Sequence, residues 1–582
     1  MKGLALLALA AIAQAAQVKF NVIAPGATTV QVSVNGQLTE LKAADPTVPF
    51  FSGAAETGAD TKYKYVVGQA TEAFDRALPT GGSTLNDFFD RPVTYANIPE
   101  LPWPIEKNPQ WTRSGAKQPL FDTNYIPTIF IVGDKAGLDG LIQRPVSDKF
   151  PVTMTVILSN EVKTLKNVSF GIHGAGKKKN NAKQSWNMQL NGETWQNRDF
   201  FKLRHMEEDP TQIREKLYAD ISRAMGTYAN EANMVRLFIN GDGMGTFNLL
   251  DDITQYSFPR AMFYDGKPPE KMGALFDGGT GASFMVTPDM ASLYSFVANP
   301  QSPENVTALE PFCQAWNSAV KTDDAAIAEI EKQFELDIFM RFMVMEYLAG
   351  HWDGYWEMQT NIGVYRDPTD NNRWYFIGQD FDGTFGINNP QPINETILWT
   401  YKDLETKFPN AVLINGLLQN ANRRATFESY LTNTVKVLFN NYTLTNRVLK
   451  YHDFILPDLK WDRSIVQRSP GIDMGWSFEQ TTENLWQFVI SPKTGGGPGM
   501  GLVEWIAARS ERVANEFKIE ITKEPVGPPS TGNKPPVGGG GSNVPGGKDD
   551  NKGGKGSGAG HVLPQAMATF ALVAGSLVAL LA

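Results

Sequence analysis

The sequence predicts an α+β protein: an N-terminal β-sandwich module over residues 17–115, then a bilobal domain over residues 120–522 whose second lobe is helical. Three observations carry that expectation. From Gln17 to about Pro99 the runs VKFNVIAP, TTVQVSVNG, PFFSGAAET and DTKYKYVVG are short, alternate in polarity and are separated by Gly, Pro and Asn turns, the pattern of half-buried strands. A second β-start lies near Ile126, and this region ends in NMVRLFINGDGMGTFNLLDDI, two strand-like runs around Asn240-Gly241-Asp242-Gly243, strong hairpin residues. From Phe334 helical periodicity takes over: FELDIFMRFMVMEYLAG is an apolar helix stopped by Gly350, and ATFESYLTNTVKVLFN and GLVEWIAARSERVANEFK follow. Between the β-rich runs, RHMEEDPTQIREKLYADISRAMG opens a helix at Asp209-Pro210 and spaces Ile213, Leu217 and Ile221 along one face.

Composition permits large cores and narrows the chemistry. With 582 residues, 42% hydrophobic and 11% aromatic, there is enough apolar material to hold domains together. It has to suffice, because Cys313 is the single cysteine and forms no intramolecular disulfide. One Cys and five scattered His read neither as a zinc site nor as a Cys nucleophile, and a formal net charge of −9 argues against nucleic acid as a partner.

The two ends of the chain speak of location. Residues 1–16 join a lysine, the apolar run LALLALAAIA and a small-residue ending at Ala13-Gln14-Ala15, the form of a secretory signal peptide. Residues 523–557 are a Gly- and Pro-rich stalk too poor in apolar side chains to bury a core. Residues 558–582 finish in the apolar tail Ala566–Ala582 behind small residues, which reads as a glycosylphosphatidylinositol attachment signal with Ser557 as the acceptor; a single tail-anchor helix is the rival. The expected place is the cell surface, held to plasma membrane or cell wall through the lipid anchor. Sequons at Asn167, Asn305, Asn394 and Asn441 are candidate glycosylation sites in such a protein.

Chemistry concentrates between His351 and Gly386, HWDGYWEMQTNIGVYRDPTDNNRWYFIGQDFDGTFG. Asp353 falls on a loop just past the Gly350-stopped helix, Asn361 precedes the strand-like IGVYR, and WYFIG leads into Asp380-Phe381-Asp382-Gly383. Turn propensity alone explains DPTDNNR, from Asp367 to Arg373. The ordered set of three carboxylates and an amide is what phosphoryl transfer requires: hard oxygens for a metal, and one carboxylate beside the attacking hydroxyl. Protein kinases set the same residue types in the same order, with His351-Trp352-Asp353 standing for their H-R-D.

With the upstream segments HGAGKKKNNAKQSWNMQL and FINGDGMGTFNLLDDI, these motifs resemble the CotH family of atypical secreted kinases, and within it the cell-surface CotH-like proteins of mucoralean fungi. The likeness runs over about residues 145 to 440. It implies a protein-kinase-like fold for the bilobal domain, ATP with Mg2+ or Mn2+, and Ser or Thr hydroxyls of proteins as acceptors. It also implies Asp353 as the catalytic residue, Asp380 as the principal metal ligand, and Asn361 and Asp382 in support. Lys183 falls on a lysine that would face the nucleotide phosphates, with Glu215 as its partner and Arg214 matching a family arginine. Four positions depart from the pattern: His173 stands for an Arg, Ala175 and Gly176 for a serine pair, and Ala182 for a lysine. The fungal likeness implies a second role as an adhesin that engages a host-cell surface receptor.

Two other readings start from the same residues. Gly171 to Lys177 fits G-x-x-x-x-G-K, but Lys178 occupies the hydroxyl position and a strand-like run follows where a P-loop needs a helix. Asp353 and Asp380 could also pair as in a glycan-active enzyme. The N-terminal module is similar to immunoglobulin-like modules that precede sugar-active domains; sugar binding there would need Phe50, Phe51, Tyr63 or Tyr65 exposed rather than in the core.

Overall fold

The computed structural model describes residues 16–58, 61–143, 148–174, 181–286 and 291–524, which form a mixed α+β structure. The signal peptide, apart from Ala16, almost all of the stalk, and the attachment signal with Ser557 lie outside the described residues, as does the lysine-rich loop 175–180.

The first sheet comprises β1 (Ala16–Ile23), β2 (Val30–Val34), β3 (Gln37–Ala43), β4 (Phe50–Thr57), β5 (Lys62–Val67), β6 (Ala70–Thr71), β7 (Arg76–Ala77) and β8 (Ser83–Phe88). They bond in the order β6-β5-β2-β3-β4-β1-β8, with β7 on β5. The sheet folds back on itself: β1 and β5 are not neighbours in it, yet Phe20 and Tyr63 meet edge to face at 5.0 Å. Alternation along the strands fills that core with Phe20, Val22, Val32, Tyr63 and Tyr65. Phe51 is buried with them and Phe50 packs into the junction with the next domain, so the aromatics weighed for sugar stacking serve packing. The strands end at Phe88; Ile98 and Ile105, within the stretch the sequence assigns to this module, belong to the helical core instead.

The second unit of structure is a closed barrel of seven strands: β9 (Thr128–Gly133), β10 (Lys149–Ile157), β11 (Val162–Ile172), β12 (Trp186–Gln189), β13 (Phe200–Arg204), β14 (Ala232–Ile239) and β15 (Asp242–Leu250), ordered β10-β11-β12-β13-β15-β14-β9. The β14–β15 hairpin turns at Asn240 and Gly241, both with positive φ (48° and 88°), which a two-residue primed turn demands. Helices α1 (Lys135–Gln143) and α2 (Arg214–Ala224) connect strands of this barrel. The Asp209 carboxylate accepts the backbone amides of Ile213 and Arg214 at 2.9 Å each, satisfying donors at the start of α2 that have no partner within the helix.

The rest is mainly helical: α3 (Ser257–Tyr264), α4 (Glu310–Ser318), α5 (Asp324–Glu331), α6 (Leu336–Ala349), α7 (Tyr355–Met358), α8 (Ile393–Thr396), α9 (Tyr401–Lys407), α10 (Val412–Leu417), α11 (Ala421–Val437), α12 (Thr443–Ser464), α13 (Phe478–Glu483) and α14 (Leu502–Phe517). A small sheet, β16 (Leu275–Gly278), β17 (Phe296–Ala298), β18 (Ile362–Asp367) and β19 (Arg373–Gly378), is set among them in the order β17-β16-β18-β19. Every residue of α6 except Asp337 is buried, as its apolar sequence requires. Cys313 in α4 is buried too, and that burial pushes its thiol up to about 12, away from nucleophilic use.

Burial also pushes the carboxyls of Glu335 and Glu346, at the two ends of α6, up to about 7. A carboxyl raised in the fold contributes stability that is full below about 4.5 and is lost as pH rises through about 7. Asp458 and Asp462 act in the opposite sense: burial would raise them, but their cationic partners outweigh it, so their contribution is lost as pH falls. The expected result is a thermal midpoint that peaks near about pH 5 and declines toward pH 8. Glu335→Gln, which mimics the protonated form, should flatten that decline when unfolding is followed by circular dichroism.

Candidate active site

Gly350, at φ +59°, ends α6 in the left-handed conformation and lies flat against Trp505, where a Cβ would stand 2.4 Å from the ring. The chain then turns into His351-Trp352-Asp353. His351 is buried beneath the rings of Tyr218 and Phe381, and its Nε2 lies 3.2 Å from both Asp353 Oδ1 and the Asp380 carbonyl. Two acceptors on one nitrogen make Nε2 the protonated position. Burial would lower this imidazole, but the hydrogen bond and charge of Asp353, with Glu346 behind it, raise it to about 9, so it is cationic at neutral pH.

Asn361 holds the other side of the carboxylate. Its Nδ2 donates to Asp353 Oδ2 and to the Asp353 carbonyl, each at 3.0 Å. Asp353 is therefore held at both oxygens, by an imidazolium and by an amide, while its side chain remains 22% exposed. Trp352 Nε1 pins the loop by donating to the Ile387 carbonyl at 2.9 Å.

The Asp380-Phe381-Asp382-Gly383 loop comes from the end of β19. Phe381 stacks on Tyr218 of α2, with centroids 4.0 Å apart, and Gln379 Nε2 donates to Asp277 Oδ1 at 2.8 Å. Asn361, Asp380 and Phe385 all have positive φ, between 49° and 59°. For non-glycine residues this costs about 1–2 kcal/mol each, and such concentration of strain is typical of functional loops. Arg204, from β13, closes the arrangement: Nη1 lies 2.6 Å from Asp380 Oδ1, as an ion pair, and Nη2 bonds Asp382. Burial and the neighbouring Asp380 push the Asp382 carboxyl well above the usual range in spite of Arg204.

A small cleft opens beside Arg204 and Asp382, lined also by Glu208, Arg214 and Glu215 among others. Asp353, Asn361, Asp380 and Asp382 thus meet at one place, as their order in the sequence predicts. The upstream residues divide differently. Lys183 is buried and its Nζ lies 2.6 Å from Asp462 Oδ1 in α12, not beside Glu215. Glu215 instead accepts from Asn248 Nδ2 at 3.0 Å and projects its charge on Arg204. Arg214 bonds Asp209 at 2.6 Å and reaches the Phe385 and Met500 carbonyls, tying α2 to the end of the acidic loop. After Asn181 the described chain forms β12 rather than a helix, in line with the rejection of a P-loop.

Among the described residues no group of three or more His, Cys, Asp or Glu is arranged to enclose a metal ion. The donors nonetheless suit a hard cation: Asp380 and Asp382 offer carboxylate oxygens, and Asn361 Oδ1 accepts no hydrogen bond among the described residues. Magnesium is commonly held by one or two carboxylates, with water and phosphate oxygens completing its shell. Sequence reasoning missed Arg204 and the part played by His351. The signal for the first was present: FFKLR carries two cations in a strand that is buried throughout.

The family described as CotH kinase protein matches residues 170–494. Invasin CotH3 of Rhizopus delemar is 61% identical over 529 residues, covering 90% of this chain and 88% of that protein. Invasin CotH2 of the same organism is 58% identical over 529 residues, with 90% and 87% covered. Spore coat protein homolog 1, again from Rhizopus delemar, is 50% identical over 503 residues, with 86% and 82% covered. With the family model matched over residues 170–494 and most of its length shared at such identities, this chain belongs to the CotH family.

Proposed function

We propose that this protein is a secreted, cell-surface phosphotransferase whose bilobal, kinase-like CotH domain moves the γ-phosphoryl of ATP to Ser or Thr hydroxyls of proteins with Mg2+ or Mn2+. One observation carries the reading: the Asp353 carboxylate is clamped by His351 and Asn361, and the same His351 Nε2 reaches the Asp380 carbonyl, so catalytic and acidic loops are one unit. Asp353 orients the acceptor hydroxyl and takes its proton as the oxygen attacks phosphorus. His351 and Asn361 keep the carboxylate from rotating. Asp380 and Asp382, with Asn361 Oδ1, are the oxygens that would hold the metal, which neutralises charge on the phosphate oxygens. Purified ectodomain given γ-labelled ATP, magnesium and a serine-rich acceptor is expected to label the acceptor, and Asp380→Ala to abolish labelling. An unlabelled acceptor with wild-type protein contradicts the reading.

Gly383 supplies a finer test. A Cβ there would stand 2.6 Å from Asp353 Oδ1 and 3.2 Å from Trp352 Nε1. Its φ is not in the positive region, so alanine fits the backbone and presses chiefly on the catalytic carboxylate, and less closely on the Trp352 indole. Gly383→Ala should cost about 100-fold in transfer, the penalty of displacing a reacting group by roughly 1 Å, with an unchanged thermal midpoint.

A second, compatible reading is a surface adhesin that engages a host-cell receptor; it is favoured by the relatives named as invasins. Attachment of cells displaying Asp353→Ala protein at wild-type level would make adhesion independent of chemistry. The surface location we assign rests on lipid attachment at Ser557, and glycans at Asn167, Asn305, Asn394 and Asn441 are part of the same reading; all four asparagines are exposed. Release of the protein from cells by phosphatidylinositol-specific phospholipase C tests the anchor. Among the described residues no helix is long and apolar enough to cross a membrane.

A further inference from the structure

Gly354 directly follows Asp353, yet its backbone does not call for a glycine: φ is −85° and ψ −164°, extended values open to any residue. What excludes a side chain there is space. A Cβ would stand 2.9 Å from His351 Nδ1, 2.9 Å from Glu346 Cδ and 3.0 Å from Glu346 Oε1. Glu346 and His351 therefore close on one point from two sides. Nδ1 is the His351 nitrogen not engaged with Asp353, and it is buried with no hydrogen bond among the described residues. The nearby Glu346 carboxylate is among the charges that favour the cationic ring.

The same carboxylate holds the far side of the loop. Glu346 Oε1 accepts the Tyr355 amide at 3.0 Å and Oε2 the Trp356 amide at 2.8 Å. These are the first amides of α7, donors that have no partner within their own helix. A capping oxygen usually comes from the residue just before the helix, but that residue is Gly354, which has none to offer. Glu346 is only 4% exposed and stands in the last turn of α6, where its carbonyl also accepts the His351 amide at 2.9 Å. One residue thus meets the loop where it leaves α6, beside the His351 ring, and where it enters α7. Asp353 lies within that span, its Oδ1 3.2 Å from His351 Nε2.

We propose that Glu346 is the positioning residue of the catalytic loop: it sets the His351 ring and the start of α7 so that the Asp353 carboxylate faces the acceptor hydroxyl, and position 354 is glycine to admit it. The assignment rests on the phosphotransferase reading given above. Tyr218 and Phe381 already bound the His351 ring on other sides, so its remaining freedom lies toward Gly354 and Glu346. Disturbing either residue lets the ring move and loosens its hold on Asp353, at a distance from the nucleotide.

Steady-state transfer, calorimetric affinity for magnesium ATP and thermal midpoints of Glu346→Gln, Gly354→Ala, their double variant and Glu335→Gln test this, with kinetics at a temperature where each is folded. Glutamine keeps the size of glutamate, but its amide nitrogen cannot accept, so one α7 amide loses its partner. Glu346→Gln and Gly354→Ala are each expected to lower kcat by about 10- to 100-fold, since roughly 1 Å of misplacement costs about 100-fold, and to leave ATP affinity unchanged. The double variant should lose little more than the worse single one, because both act through the same ring. Glu335 is the control: its carboxyl is buried at the other end of α6, where it accepts the Ile338 amide of its own helix at 2.6 Å. Glu335→Gln should act on the midpoint alone. Wild-type kcat in folded Glu346→Gln overturns the assignment and leaves Glu346 a structural cap of α7. Losses that multiply in the double variant, or that fall on ATP affinity, overturn it too. If Glu346→Gln does not fold, Gly354→Ala decides, since it keeps the carboxylate and both amides: wild-type kcat there overturns the assignment. Absence of transfer by wild-type protein removes the phosphotransferase reading and this assignment together.

Discussion

Asp353→Asn is expected to lower phosphoryl transfer by about 10²–10⁴-fold, the usual contribution of a positioned proton acceptor. Asparagine keeps the size and planarity of the side chain, and its carbonyl can still face Asn361 Nδ2, which donates to Asp353 Oδ2 at 3.0 Å. What it lacks is a site for the hydroxyl proton and the negative charge opposite His351. The loss should therefore fall on kcat, with ATP affinity retained, because the nucleotide side of the cleft is untouched. Removing the charge also withdraws the main support for the raised His351, whose titration, followed by NMR, should move down from about 9. A variant that loses ATP binding and keeps its His351 titration would place Asp353 in a structural role.

Asp458→Ala should bring the largest loss of stability, about 3–5 kcal/mol in denaturant unfolding, because it breaks a buried ionic triad from its centre. Asp458 lies in α12 and is fully buried among its partners. Arg236 of β14 bonds it twice, at 2.6 and 2.8 Å, and Arg91, just beyond β8, bonds it at 2.9 Å. One carboxylate thus links the N-terminal sandwich, the barrel and the helical region. Removing it leaves two guanidinium groups without their shared carboxylate, both over the Phe88 ring, Arg236 at 4.3 Å and Arg91 at 5.2 Å. Asp458→Asn, which keeps the volume and can accept one hydrogen bond, should lose less. A loss below about 1 kcal/mol for alanine would mean that water reaches the triad and screens it.

The acidic loops were legible in the sequence because they are local. Asp353 sits three residues past a glycine whose only conformational role is to stop a helix, and Asp380 to Gly383 directly follow a strand, so spacing and turn chemistry locate them. Hairpins such as Asn240-Gly241 were legible for the same reason. The cationic half of the site was not. Lys183 lies 279 residues from Asp462, and Arg204 lies 178 from Asp382, and no periodicity records a pairing across such a distance. A lysine preceding a strand near a glycine-rich loop invites a phosphate-binding role; only the path of α12 shows that its charge is already used. Closure of the barrel was equally hidden, since it depends on β14 pairing in parallel with β9, roughly a hundred residues earlier. The first module's boundary blurred because the strand pattern ends at Phe88 without a linker, and Ile98 and Ile105 look like any short apolar signal until they are seen packed on the helical core.

The phosphotransferase reading puts Asp353 and Asp380 in one phosphoryl-transfer site, joined through His351. It is tested most directly by the kcat/KM for acceptor phosphorylation in wild type, Asp353→Asn, Asp380→Ala and the double variant, all at equal folded concentration. Residues that act as a unit give losses that do not add. Each single substitution is predicted to bring transfer close to background, and the double variant to add little. Additive losses, or a single variant that keeps wild-type transfer, would contradict the account.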